Sequence, residues 1–66
     1  MNEYVIYQEF GKLKLTSKEN YYSYTTNASK VIDCSKFESV DSLQEYLIRE
    51  WKLLPNQIID RTTIPF

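Results

Sequence analysis

The residues that usually carry catalysis or bind metal ions are scarce in this chain. It has 66 residues, no histidine and one cysteine, Cys34. Histidine is the usual general base near neutral pH and the commonest metal ligand, so the chain lacks the main residue for both acid–base catalysis and metal binding. One cysteine without histidine also excludes the standard zinc sites. We therefore expect a protein that is not an enzyme and that carries no metal or cofactor.

The reactive groups that remain have ordinary structural interpretations. Cys34 has no histidine partner to activate it as a nucleophile, and a lone cysteine suits a small buried apolar side chain. Gly11 is the only glycine, so the chain has no glycine-rich loop to surround a phosphate. Glu45 and Glu50 could act as an acid–base pair, but we interpret them as solvated charges on a helix.

One group of side chains is suited to binding another protein. Between Phe37 and Trp51, aromatic and aliphatic residues alternate with acidic ones. Protein interfaces combine aromatic anchors at the centre with a polar rim. The candidate partner-binding residues are Phe37, Glu38, Asp41, Glu45, Tyr46 and Ile48.

A second group of side chains offers an alternative function. Lys12, Lys14 and Lys18 are followed closely by Tyr21. Lysines beside an aromatic ring could bind a phosphate backbone and stack a base, so the alternative is a small nucleic-acid-binding domain. An ordinary solvated sheet face, on which lysines discourage aggregation, explains the same residues. The net charge of −1 provides no overall attraction to nucleic acid.

Alternating side chains predict that the lysines lie on a sheet. Residues 3–10 are rich in β-branched and aromatic types, and Gly11 predicts a bend or bulge after them. Residues 12–16 alternate with period two, and residues 21–26 are interpreted as the strand that returns after a turn at 17–20. This register gives one apolar face, which predicts a set of core residues. Its members are Leu13, Leu15, Tyr22 and Tyr24.

The second half of the chain predicts a third strand, a helix and a fourth strand. Residues 30–34 form a short β-leaning segment, and the tail after Pro55 is rich in isoleucine. Between them, apolar residues recur at helical spacing from about 40 to 54, with Ser39 or Asp41 as the N-cap. Pro55 should end the helix. The helix residues expected in the core are Leu43, Leu47 and Trp51.

Together these elements predict one domain of the α+β class, residues 1–66. The order is β-β-β-α-β, with a small antiparallel sheet of three to four strands packed on one α-helix. A chain this short buries only about 60% of its unfolded surface, which leaves little room for a deep pocket. The lone cysteine fits a reducing compartment, and no apolar signal segment or membrane span is visible. We therefore expect a cytoplasmic protein without membrane contact.

The tyrosine-rich segment carries a resemblance to a known family. Tyr-Ser-Tyr at 22–24, Ser-Lys-Phe-Glu at 35–38 and the amphipathic helix resemble the small phage-encoded inhibitors of uracil-DNA glycosylase, over residues 21–48. In that family a dimeric inhibitor occupies the DNA-binding cleft of the enzyme with acidic groups and an apolar pocket. The resemblance implies that Phe37 and Glu38 contact the partner. The spacing between the two motifs is longer here, and the C-terminal tail has no counterpart.

These observations favour a non-enzymatic module that binds and inhibits a host protein, such as a DNA-processing enzyme like uracil-DNA glycosylase. Residues with AT-rich codons outnumber those with GC-rich codons, which is typical of Gram-positive bacteria, their phages and mobile elements. The aromatic content and a helix whose apolar surface extends to Ile48 further predict a homodimer or a partner-bound protein. A structural bacterial domain is a third alternative.

Overall fold

The N-terminal part of the chain folds into a tight antiparallel hairpin. In the computed structural model, which describes residues 3–62, strand β1 (Tyr4–Glu9) pairs with strand β2 (Lys12–Ser17). Phe10 and Gly11 connect the strands with φ angles of 54° and 77°. Two consecutive residues with positive φ are typical of the type I′ turn, whose twist matches that of the flanking strands. Gly11 therefore lies in a turn and not in a bulge.

The predicted hairpin between residues 12–16 and 21–26 is wrong. Strand β2 ends in a one-turn helix, α1 (Lys18–Tyr21), where Ser17 Oγ accepts a hydrogen bond from the backbone N–H of Asn20 at 3.1 Å. The chain then continues as an irregular segment. The alternation in β2 correctly indicated which side chains face inward, but it could not indicate which strand lies beside it. The short turn at residues 10–11 makes β1 the partner, because close sequence neighbours lose less entropy on pairing.

Two of the predicted core residues are consequently on the surface. Tyr22 is 55% exposed and Tyr24 is 106% exposed. Their alternation with serine and threonine resembles a strand, but no neighbouring strand holds the segment in a sheet. A polar loop explains the same pattern, because serine, threonine and asparagine form local hydrogen bonds with the backbone.

The remaining elements complete a four-stranded sheet in the order β3-β2-β1-β4. Strand β3 (Ile32–Asp33) runs antiparallel to β2, helix α2 (Val40–Glu50) follows, and strand β4 (Ile58–Asp60) runs parallel to β1. The predicted α+β class and the order β-β-β-α-β are confirmed, with the four-residue helix α1 added. The sheet is mixed rather than antiparallel. After helix α2 the chain returns to the free side of β1, and β4 pairs there in the same direction as β1.

Helix α2 covers one face of the sheet and forms the apolar core with it. Ile6, Leu13 and Leu15 from the sheet pack against Leu43 and Leu47 from the helix, and all five are buried. Their periods of two in the strands and about 3.6 in the helix place them on facing surfaces. The core predictions for both β2 leucines and both α2 leucines are therefore confirmed.

The helix begins at Ser39, one of the two predicted caps, but ends earlier than predicted. Ser39 Oγ accepts a hydrogen bond from the backbone N–H of Ser42 at 3.2 Å. At the other end Trp51 is the C-cap, and Lys52 has a φ of 59°. The N–H of Leu53 then bonds the carbonyl of Leu47 at 3.4 Å. A residue in the left-handed region is the common way to end a helix, so the reversal comes before Pro55.

The face of the sheet opposite α2 is closed by a polar network. Val5 and Thr16 lie opposite each other across β1 and β2, and both are buried. Thr16 Oγ1 donates to the carbonyl of Lys30 at 3.1 Å and accepts from Asn20 Nδ2 at 2.8 Å. Because Asn20 itself is only 8% exposed, its polar atoms need these protein partners.

Candidate functional site

A largely apolar concave surface lies between strand β3 and helix α2. A cavity of about 110 Å³ opens there, and we call it the β3–α2 groove. Ile32 forms the strand side of its opening and is 44% exposed. Phe37, Tyr46 and Trp51 are half-buried in its walls, and Cys34 is buried at its base. The groove therefore exposes aliphatic and aromatic atoms next to a sheet edge.

The chain between β3 and α2 positions Phe37. The N–H of Cys34 bonds the carbonyl of Leu13 at 2.9 Å and extends the pairing with β2 by one residue. Asp33 Oδ1 then accepts the N–H of Ser35 at 2.9 Å, and the N–H of Phe37 bonds the carbonyl of Cys34 at 3.1 Å. These two turns direct the chain away from the sheet and bring the Phe37 ring against the helix.

Two aromatic rings form the wall of the groove on the helix side. The ring centroids of Phe37 and Tyr46 are 5.2 Å apart, with an angle of 57° between the ring planes. The Lys36 ammonium, whose residue also lines the groove, lies 5.6 Å from the centroid of the Phe37 ring. Tilted aromatic pairs and a cation over a ring face are both attractive. The wall is therefore held in place by packing and not only by the backbone.

Two of the titratable groups that line the groove, Asp33 and Cys34, have shifted pKa values. The hydrogen bonds from the backbone and hydroxyl of Ser35 lower the pKa of Asp33 below its ordinary value, and Lys14 adds to this. Burial and the nearby charge of Asp33 raise the pKa of the Cys34 thiol. The thiolate is the reactive form of cysteine, so a buried thiol with a raised pKa is poorly suited to act as a nucleophile.

The predicted partner-binding residues fall into two groups in the structure. Phe37 and Tyr46 meet in the groove, as described above. Ile48 lies two positions beyond Tyr46, which places it about 200° around the helix axis, and it is 40% exposed on the outer side. The acidic residues predicted with them are all exposed and lie outside the groove. They are Glu38, Asp41 and Glu45.

The outer face of α2 combines acidic and apolar side chains. Asp41, Glu45 and Ile48 share this face because they are spaced by four and three residues. No ion pair within residues 3–62 involves Asp41 or Glu45. The helix therefore shows an acidic surface to solvent and an aromatic one to the groove, and the two surfaces would contact different parts of a partner.

The lysines of the alternative site lie beside carboxylates. Lys18 Nζ is 3.4 Å from Glu3 Oε1. Lys12 lies directly opposite Glu9 in the register of β1 and β2. Opposite charges on directly paired residues attract each other. Both lysines are thus partly neutralised by neighbouring acids, which weakens their attraction for phosphate groups.

The other two residues of the alternative site are also engaged within the protein. Lys14 lies opposite Asp33 in the register of β2 and β3, and its charge contributes to the lowered pKa of that carboxyl. The Tyr21 ring packs against the Tyr7 ring, with centroids 5.0 Å apart. The face that would bind nucleic acid therefore has mixed charge, and its aromatic ring is half-buried.

Ile32 is the groove residue that sequence analysis missed. The sequence predicts only that Ile32 belongs to a short third strand, and nothing in the local pattern indicates that this strand lies at the edge of the sheet. Two consecutive β-branched residues, Val31 and Ile32, in a strand too short to be central are the signal that could have identified it. The pairing of Leu15 with Ile32 then places this side chain beside the helix.

The described residues provide neither a metal-binding cluster nor a membrane-spanning helix. Among residues 3–62, no group of three or more cysteine or acidic side chains is close enough to hold a metal ion. In the same range, no helix has both the length and the apolar character needed to cross a bilayer. Comparisons with protein-family models, curated proteins and solved structures find no match to this chain.

Proposed function

We propose that this protein acts by stoichiometric binding to another protein, with the β3–α2 groove as the anchor site. The observation that carries the proposal is an apolar cavity of about 110 Å³ that opens beside a partly exposed Ile32. A cavity of this size accommodates one aliphatic or aromatic side chain, and such anchors dominate the energy of protein interfaces. It is smaller than the roughly 300 Å³ of typical small-molecule sites.

The edge position of β3 supports a protein partner. Strand β3 pairs with β2 on one side and has no described strand on the other. Edge strands leave backbone N–H and C=O groups available, and an extended segment of a partner can bind to them. A side chain from that segment could then enter the adjacent groove. Backbone pairing and an apolar anchor would act together at one place.

The exposed carboxylates support a partner with a basic surface. Glu38, Asp41 and Glu45 are exposed near the groove-forming segment. Acidic side chains on the surface next to an apolar anchor suit a cleft that normally binds DNA, because such a cleft is lined with basic residues. We therefore extend the proposal to inhibition of a host DNA-processing enzyme, in a phage or mobile-element setting. Uracil-DNA glycosylase is the first candidate, as the family resemblance implies.

The experiment compares a groove variant with a variant elsewhere on the surface. The protein is immobilised, partners are captured from a Gram-positive bacterial lysate, and the stoichiometry of the captured complex is measured. We expect Phe37→Ala to weaken capture by about 2 kcal/mol or more, which is roughly thirtyfold. Phe10→Ala is the matched control, since it truncates another aromatic residue, which is exposed at the tip of the β1–β2 hairpin and lies outside the groove.

A second variant distinguishes a loss of binding from a loss of folding. Phe37 packs against the core, so its replacement could lower stability as well as affinity. Ile32→Ser changes the exposed strand side of the groove and should weaken binding while the unfolding transition is largely retained. Capture that is unchanged in both groove variants contradicts the proposal. Binding that instead falls steeply with salt and disappears when Lys12 and Lys14 are replaced supports the nucleic-acid alternative.

The glycosylase proposal has its own direct test. An equimolar amount of the purified protein should block uracil excision by a bacterial uracil-DNA glycosylase, because occupation of the DNA cleft leaves no room for substrate. Phe37→Ala should relieve the inhibition. Full enzyme activity at a large excess of the protein would exclude this target, while the lysate experiment would still test the wider binding function.

A further inference from the structure

The loop opposite helix α2 has an unusual composition, and its sequence is Asn-Tyr-Tyr-Ser-Tyr-Thr-Thr-Asn-Ala-Ser over residues 20–29. We call it the tyrosine loop. It contains no charged side chain, and every residue from 22 to 29 is exposed. Tyrosine, serine and asparagine are also the residues that dominate antibody binding loops. Tyrosine supplies a large contact area at low entropic cost there, and the small polar residues supply adaptable hydrogen bonds.

The tyrosine loop is held closed at its base by one buried side chain. Asn20 Nδ2 donates to the carbonyl of Asn27 at 3.1 Å, and Asn20 Oδ1 accepts the N–H of Asn27 at 2.9 Å. Within the loop, Ser23 Oγ lies 2.9 Å from the carbonyls of both Asn20 and Thr25. These bonds fix the loop before any partner arrives, which reduces the entropy lost on binding.

The tyrosines form a connected surface over the back of the sheet. The Tyr21 ring packs on Tyr7 of β1, with centroids 5.0 Å apart, and edge-on against Tyr22 at 4.9 Å. Tyr24 is fully exposed at the outside of the loop. Tyr7 lies on the sheet face opposite Ile6 and helix α2, because side chains alternate along a strand. The surface is therefore separate from the β3–α2 groove.

We propose that the tyrosine loop is a homodimer contact and that its occupant is the same loop of a second copy of this chain. A twofold contact brings each residue against itself or its close neighbours. An uncharged loop meets its copy without like-charge repulsion, whereas the outer face of α2 would bring Asp41 and Glu45 against their copies. The absence of like-charge repulsion thus favours this surface for self-association.

The available area fits a weak dimer. A buried aromatic side chain covers roughly 150–250 Å², so Tyr22 and Tyr24 of two copies, together with the polar residues beside them, supply an interface on the order of 1,000 Å². This is near the lower limit for specific complexes. The expected dimer forms in the micromolar range and leaves both grooves open on its outer sides.

The experiment is sedimentation equilibrium of the purified chain from low to high micromolar concentration. We expect a reversible monomer–dimer equilibrium that changes little with salt. Tyr24→Ala should raise the dimer dissociation constant about tenfold or more, because the interface contains the residue twice and truncation of an aromatic anchor is costly. Because Tyr24 is fully exposed in the single chain, this variant retains the core contacts.

Phe10→Ala is the matched control, since Phe10 is another aromatic residue that is 95% exposed, at the tip of the β1–β2 hairpin. Its replacement should leave the dimer unchanged, as should Phe37→Ala in the groove. Three outcomes would overturn the proposal. They are a monomer at every concentration, a dimer that Tyr22→Ala and Tyr24→Ala do not weaken, and a dimer that Phe10→Ala weakens equally.

Discussion

The side chain of Asn20 binds the backbone of Asn27 in both directions, with its Nδ2 donating at 3.1 Å and its Oδ1 accepting at 2.9 Å. The same Nδ2 also donates to Thr16 Oγ1 at 2.8 Å, so one amide group joins strand β2 to both ends of the loop. Only an amide supplies both donors and an acceptor at this position. The sequence predicts that residues 21–26 pair with β2 as a strand. In the structure the hydrogen bonds of Asn20 hold this segment instead.

We expect Asn20→Asp to lower the free energy of unfolding by about 1–3 kcal/mol, even though the two side chains have the same shape. A carboxylate cannot donate to Thr16 or to the carbonyl of Asn27, which leaves buried acceptors unsatisfied. Urea unfolding measures the loss. Asn27→Ala is the control, because it removes only side-chain bonds to Ser29 and keeps the backbone groups that Asn20 uses. Equal losses in the two variants would show that the amide of Asn20 has no special role.

Leu47 lies at the centre of the core, with no exposed surface. We expect Leu47→Ala to lower the free energy of unfolding by about 2–5 kcal/mol, since it removes buried methyl groups and leaves a cavity. In a domain of this size that loss could unfold most of the population at room temperature. The neighbouring substitution Ile48→Ala should cost less than about 1 kcal/mol because its side chain is partly solvated. Thermal unfolding of both variants makes the comparison, and a larger loss at Ile48 would contradict the orientation of the helix.

The turn between β1 and β2 has an unfavourable residue at its first position. Phe10 has a φ of 54° and is 95% exposed, so it bears backbone strain without packing in return. We expect Phe10→Asn to raise the free energy of unfolding by about 0.5–1 kcal/mol, because asparagine tolerates this region and favours type I′ turns. Urea unfolding tests this increase, which should appear as a higher midpoint concentration with an unchanged m-value.

Gly11 provides the opposite test at the second position of the turn. Its φ is 77°, and a Cβ added there would meet nothing within 4 Å. The cost of Gly11→Ala is therefore conformational and not steric, and we expect a loss of about 1–2 kcal/mol. If Gly11→Ala proves neutral while Phe10→Asn is stabilising, the turn must have another backbone conformation.

Because of the Cys34 thiol, we expect the free energy of unfolding to change with pH in the alkaline range. Burial and the charge of Asp33 raise its pKa in the folded protein. Because folding raises this pKa, the thiol stabilises the folded state fully at pH values below its pKa in the unfolded chain. This stabilisation is lost as the pH rises through its pKa in the folded protein. We expect the free energy of unfolding to fall in that window, and to fall less in Cys34→Ala. Iodoacetamide should also label the native thiol far more slowly than the urea-unfolded one, and equal labelling rates would contradict its burial.

The sequence by itself determined the parts of the fold that depend on local periodicity. The apolar residues Val40, Leu43 and Leu47 recur at helical spacing, and the helix begins at Ser39 as its capping pattern predicts. Alternation in β2 correctly placed Leu13 and Leu15 in the core. These features follow from the backbone repeat of each element, which a short stretch of sequence fully specifies.

Part of the candidate site could also be predicted from the sequence. Phe37 and Tyr46 were selected as partner-binding residues from their type and position, and the structure brings them together at 5.2 Å. Ile48 belongs to the same predicted set and lies on the same helix as Tyr46, but the helical rotation places it on the other side of that helix. Ile32 could not be found, because it joins the groove only through the pairing of β3 with β2.

Only the tertiary structure decided which strands lie beside each other. The segment after β2 has alternating tyrosines that suit a strand, yet β2 pairs with β1 across the Phe10–Gly11 turn and the segment remains a loop. Strand pairing depends on competition between distant segments, and side-chain alternation specifies a face without specifying a neighbour. Tyr22 and Tyr24 are exposed for this reason: the position that would have buried them is already occupied by β1.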